Sequence, residues 1–250
     1  MSRLLDDLPR MPLLKHLEDL RRGLLRSVLF FAVAFVICVT FSAPLFHFLA
    51  QPVQDAMGGA KLAFTNLSDP FMLYLKIGFI AALFISFPFF MVQLWLFISP
   101  ALYAKEKRWA VPFVFFTVLL FYLGAVFGYI VVFPVMVKFF ITLGKDFTPI
   151  ITIKEYLSLT TKMLLGMGLA FETPTLMFFL SLVGITTAKF YLKYFRHAVL
   201  AIFVIAAVLT PTPDMVSQTL LAGPMLMLYL IGIVASWLVR KKHGRSEDRA

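Results

Sequence analysis

Three segments with four acidic residues carry most of the chemical interest of this sequence, because each acid sits where it is costly or unexpected. Glu172 lies in Phe171-Glu172-Thr173-Pro174, in the middle of a long apolar run. An unpaired carboxylate near the centre of a bilayer costs several kcal/mol, so it must face protein or water, carry a proton, or hold a polar partner. The nearest cation in sequence, Lys162, is ten residues and about 15 Å away along a helix, too far for a direct pair. Glu18 and Asp19 stand in Lys15-His16-Leu17-Glu18-Asp19-Leu20-Arg21-Arg22, just before the first apolar run. Either they pair locally with Arg21, Arg22 or Arg26, or they are free to receive a cationic partner. Glu106 sits alone among Lys105, Lys107 and Arg108. A solvated loop charge is the default reading of Glu106.

The elements that must position these residues are membrane helices. The 250 residues are 61% hydrophobic and 14% charged, with a mean hydropathy of +0.90, against roughly 25% charged in a soluble chain. Lys and Arg number 23 against 13 Asp and Glu, a net charge of +10. The basic residues cluster between apolar runs, a pattern that sets membrane orientation and argues against a nucleic-acid surface. A spanning helix needs about 20 apolar residues. The pattern predicts an all-α membrane protein, one polytopic domain over 1–250, with six spans at 27–49, 71–98, 109–133, 156–183, 195–210 and 215–238. A basic tail occupies 239–250. Leu17, Leu20 and Leu24 recur at helical spacing, which predicts an amphipathic interfacial helix ahead of span one. That span lacks a cleavage site after its apolar core and is read as retained rather than as a signal peptide.

An even number of spans puts both termini on one side, and the basic residues of the N-terminus, of two loops and of the tail make that side cytoplasmic. The opposite loops are 51–70, 134–155 and 211–214. Fifteen residues of span five reach only about 22 Å against roughly 30 Å of hydrocarbon. Spans five and six therefore form a short hairpin that thins the bilayer or hides behind its neighbours, unless the boundary lies a few residues away. Gly124 and Gly128 form G-x-x-x-G, and Gly166 and Gly168 lie in span four; close helix packing explains them without a dimer. Lys76 and Lys162 near span ends read as snorkelling side chains.

The sequence has no Walker phosphate loop, no H-E-x-x-H and no G-x-S-x-G. Its four histidines make no metal pair, and the single Cys38 excludes an intrachain disulfide. The reading is therefore a protein without cofactor or metal, and not an enzyme.

Four segments in order, H-L-E-D-L-R, F-I-S-P-A-L-Y-A-K-E-K-R, F-E-T-P and L-T-P-T-P-D-M-V-S-Q-T-L-L-A-G-P-M, closely resemble the C subunit of the twin-arginine protein translocase, over nearly the whole chain. The resemblance implies a receptor in the bacterial inner membrane for signal peptides bearing two consecutive arginines. It also implies export of folded proteins with single-span partner subunits of the TatA and TatB type, in a multimeric complex driven by the proton gradient. Signal contact would fall on Glu106 and on Asp19, where the family usually has glutamate, with neighbouring Glu18 able to share the role. Leu102 and Tyr103 would touch the apolar part of the signal. Glu172 would lie on the concave face where partner helices dock, with a polar site at Thr210 and Gln218, and Thr212 able to replace Thr210. The outward residues Pro52, Pro70, Phe71 and Asp214 would support activity. The rival reading is a proton-coupled small-solute transporter with Glu172 as proton carrier.

Overall fold

Nearly every described residue is helical, because a chain this apolar can satisfy its backbone N–H and C=O groups in lipid only within helices. The fold is a computed structural model that describes residues 13–56, 59, 62–98, 110–148, 150–210, 212 and 214–247. The elements are α1 (Leu13–Thr40), α2 (Ser42–Ala56), α3 (Asp69–Ile98), α4 (Ala110–Phe127), a π-helical turn (Gly128–Val132), α5 (Phe133–Leu143), α6 (Ile153–Leu182), α7 (Ala188–Lys193), α8 (Phe195–Leu209) and α9 (Met215–Glu247). Five segments are long and apolar enough to cross a membrane: Glu18–Thr40, Asp69–Phe97, Val111–Leu143, Ile153–Leu182 and Met215–Leu238. A shorter apolar helix, Phe195–Leu209, lies between the last two of them.

Several boundaries differ from those read in the sequence. The expected interfacial helix and span one are one continuous element, since no proline interrupts residues 13–40. The apolar run then breaks at Phe41, where Pro44 has no N–H to give the carbonyl of Thr40. The Ser42 hydroxyl donates to the carbonyl of Val39 at 2.7 Å, and the chain restarts as α2. Pro52, placed in a loop by the sequence reading, lies inside α2. Pro70 and Phe71 form the first turn of α3, where a proline's fixed φ is favourable. Span three continues past residue 133 to Leu143, through a π turn in which the Phe133 N–H reaches back to the carbonyl of Gly128. That turn immediately precedes Pro134, which cannot donate to Ile130 and so already disrupts the α register.

α6 is the central helix, packed on α4 and α9, while α1 packs on α3. The glycines are where helices approach most closely. A Cβ at Gly124 would stand 2.5 Å from the carbonyl oxygen of Met167, and one at Gly128 would stand 2.8 Å from that of Met163. G-x-x-x-G therefore packs against α6 inside the chain. Gly78 meets Val39 of α1 in the same way. On the side opposite the N-terminus the two longer loops are stitched by a parallel bridge: Ala63 donates to Ile151 at 3.0 Å, and Ile153 donates to Ala63 at 2.8 Å.

Two prolines inside helices share one compensation. Pro52 cannot donate to the carbonyl of Phe48, and the Tyr129 hydroxyl donates to that carbonyl at 2.8 Å. Pro88 cannot donate to the carbonyl of Phe84, and the Tyr122 hydroxyl donates there at 2.8 Å. Tyr156 adds a bond to the neighbouring carbonyl of Leu49. α4 and the π turn thus supply the hydrogen bonds that proline removes from α2 and α3.

Two expectations follow. Gly124→Val should lower thermal stability in detergent by at least about 1–3 kcal/mol through overpacking, whereas Gly223→Ala, whose Cβ meets nothing within 4 Å, should be near neutral. Tyr122→Phe should cost about 1–2 kcal/mol, and the cost should shrink in a Pro88→Ala background, where a backbone N–H again serves Phe84. A double-mutant cycle on melting temperatures measures this coupling.

Candidate functional site

The acids near the N-terminus are separated by one helical step and have different surroundings. Glu18 is tied one turn forward to Arg22, Oε1 to Nη2 at 2.5 Å, with both side chains exposed. Asp19 faces another way. It lines a groove of about 320 Å³ between α1 and the last turns of α3, with Arg22, Gly23, Arg26, Gln93 and Phe97 among its other walls. Asp19 makes no ion pair among the described residues. Gly23 leaves room for Gln93, whose Oε1 would lie 3.4 Å from a Cβ at that position. Glu106, Leu102 and Tyr103 lie outside the described residues.

Glu172 is 6% exposed. Its face of α6 is turned to α4, with the Thr117 hydroxyl and the backbone of Phe121 nearest. Neither carboxyl oxygen has a hydrogen-bond partner among the described residues, and neither does the Thr117 hydroxyl. Lys162 serves elsewhere: its Nζ donates to the carbonyl of Val208 at 3.2 Å, capping the C-terminal end of α8. Gly166, one turn along on the same face, touches Leu209.

At the α8–α9 hairpin, Thr210 is buried and its hydroxyl donates to the carbonyl of Ala207 at 3.3 Å. Gln218 is half-buried in the first turn of α9. Asp214 is the N-cap of that helix. Its carboxylate accepts the Ser217 N–H at 2.8 Å, the Ser217 hydroxyl, and the Thr212 hydroxyl at 2.7 Å. Thr212 is thus spent on Asp214. The structure brings Thr212, Asp214 and Ser217 together beside Thr210, but it leaves Glu172 on a different face of α6, toward α4. Of the other residues expected to face outward, Pro52 is in α2, and Pro70 and Phe71 begin α3, with Phe71 63% exposed.

A family model described as Sec-independent protein translocase protein (TatC) matches residues 15–224. The chain belongs to the TatC family. A TatC protein of Koribacter versatilis is 41% identical over 96% of this chain and 90% of its own. One from Haemophilus influenzae is 39% identical over 94% and 92%. A crystal structure described as the twin arginine translocase receptor TatC matches with a TM-score of 0.82 at 32% identity, covering 90% of this chain and 99% of that one. As a TatC family member this is a multi-pass protein of the bacterial inner membrane and a core component of the twin-arginine, Sec-independent translocase. That membership does not favour the solute-transporter reading of Glu172.

Within this TatC family chain, sequence reasoning missed three side chains. Gln93 is hidden in an apolar run and becomes visible only through Gly23 across the helix interface. Thr117 is one hydroxyl among many. Ser217 was legible, since Asp followed by Ser three residues on, ahead of an apolar run, is an N-cap signature.

The cap has a pH signature. Hydrogen bonds from the Ser217 hydroxyl and N–H, then from the Thr212 hydroxyl, hold the Asp214 carboxyl down at about 2, from an ordinary 3.8. A depressed pKa stabilises the fold above the unfolded value, and that contribution fades as pH falls from about 4 toward 2. The gap in melting temperature between the parent protein and Asp214→Asn should therefore hold steady from pH 7 to 5 and close between pH 4 and 2.

Proposed function

We propose that the groove between α1 and α3 receives the paired arginines of a twin-arginine signal peptide, with Asp19 as one carboxylate and Glu106 as the other. The observation that carries this reading is the division of labour between neighbours: Glu18 is consumed by Arg22, while Asp19 opens into the groove without an ion pair among the described residues. Arg26 shares that groove, so one carboxylate beside it cannot neutralise two incoming guanidinium groups. A second acid is needed, and Glu106 is the acid the family resemblance supplies. Exposed ion pairs contribute only about 0.2 to 1 kcal/mol each. Apolar contacts must supply the remainder, from Leu20, Leu24, Phe90, Leu94 and Phe97 along the groove and from Leu102 and Tyr103 beyond it. Binding is then specific for bidentate arginine and still reversible.

The single-span partner subunits dock on the membrane face in this reading, with Glu172, Thr210 and Gln218 supplying polar contacts and the proton gradient supplying the energy. Glu172 and Thr117 are buried without a hydrogen-bond partner for either side chain among the described residues, which supports a polar partner for Glu172. The outward residues Pro52, Pro70, Phe71 and Asp214 act by holding helix ends in place.

The test is fluorescence anisotropy of a labelled twin-arginine peptide with the purified protein. Asp19→Asn and Glu106→Gln should each weaken binding about tenfold, Glu18→Gln less than threefold, and a Lys-Lys peptide should bind more weakly than Arg-Arg. An effect of Glu18→Gln as large as that of Asp19→Asn, or equal binding of the two peptides, removes the assignment.

A further inference from the structure

At the end of the bundle opposite the signal groove, the first turns of α3 and α6 lie side by side and leave a cavity of about 220 Å³. Asp69, Met72, Leu73 and Lys76 line it from α3, at the spacing of one helical face, and Ile153, Lys154 and Leu157 line it from α6. Its floor is apolar: Leu73, Ile153 and Leu157 belong to one buried cluster with Ile77 and Ile80. Its rim holds two ammonium groups. Neither Lys76 nor Lys154 is in an ion pair among the described residues.

The lining sets two ammonium groups against one carboxylate, and that carboxylate, Asp69, is turned to donors of the loop before α3. Asp69 Oδ2 accepts the backbone N–H of Asn66 at 2.9 Å and the N–H and hydroxyl of Thr65 at 3.2 and 3.1 Å. Glu155 Oε2 accepts the Thr152 hydroxyl at 3.0 Å. Both helices also bring their N-terminal, partially positive ends to the cavity. Lys76 stands seven residues into α3, about 10 Å below its start, and Lys154 stands in the first turn of α6. Both lysines line the cavity and are exposed, and a lysine stem rooted below the headgroups carries its ammonium up toward them.

An anion with an apolar tail matches this arrangement, and a free anion does not, because half of the cavity wall offers it nothing. We propose that the cavity seats an anionic phospholipid, with Lys76 and Lys154 on its phosphate and Met72, Leu73 and Leu157 against the start of an acyl chain. The site is independent of signal recognition. Its placement in the outer leaflet rests on the cytoplasmic assignment of the basic residues.

The test is native mass spectrometry of the full chain in detergent, titrated with phosphatidylglycerol or phosphatidylcholine. Tight binding of one phosphatidylglycerol is expected. Lys76→Gln/Lys154→Gln should weaken it about tenfold, and a control pair on exposed residues of the same side, Lys138→Gln/Lys145→Gln, should change it less than twofold. Lys154→Gln alone, at an exposed position, serves should the double variant fold poorly, and should weaken binding about threefold. Unchanged binding in the cavity variants, an equal loss in the control pair, or displacement of the lipid by millimolar glycerol phosphate overturns the proposal. Reaction of Lys145→Cys with an impermeant thiol reagent from either side of a vesicle fixes the leaflet. A reversed orientation would thus be told apart from a failed lipid site, and Cys38 is buried and does not interfere.

Discussion

Inside a bilayer every backbone carbonyl must find its donor in the protein, and this fold is organised by that requirement where proline breaks it. α2 and α3 each contain a proline one turn after a carbonyl that would otherwise be left bare. In both cases a tyrosine hydroxyl from α4 or the adjoining π turn fills the gap, Tyr129 at Phe48 and Tyr122 at Phe84. α4 and the π turn also carry Gly124 and Gly128, whose missing side chains let them press on the backbone of α6. This stretch therefore satisfies two broken helices on one side and packs without a gap on the other.

Hydropathy made the number and kind of helices legible, because twenty apolar residues without charge leave few alternatives. It did not show where those helices stop. Residues 27–54 read as one apolar run, yet Ser42 and Pro44 end α1 and start α2, since proline's missing N–H outweighs the surrounding apolarity. Pro134 had the opposite outcome: a π turn absorbed it and the helix went on to Leu143. The two prolines differ in what stands behind them, and no local pattern distinguishes a break that neighbours will repair from one they will not. The short α8 was readable from length alone, whereas the lysine that caps it came from another helix.

The acidic residues divide along the same line. Glu18 and Asp19 are adjacent and chemically alike, so sequence could leave both as contacts for a signal. Helical geometry separates them by about 100°, enough to give one to Arg22 and the other to the groove. Glu172 was legible as an anomaly because carboxylates are rare at that depth. Its neighbour Thr117 was not, since an unpaired hydroxyl becomes noticeable only once both sides of a helix interface are known.

Tyr122 and Tyr129 are seven residues apart, two turns along the helix and close to one azimuth. A rotation of α4 about its own axis would pull both hydroxyls off their carbonyls together, and a tilt of α2 or α3 alone would tear one of them. The two bonds therefore couple α2, α3 and α4, so that a displacement of one is passed to the others. The other half of the bundle is fastened separately, by hydroxyl bonds through Ser181, Thr186, Tyr191 and Tyr229 that join α6, α7 and α9.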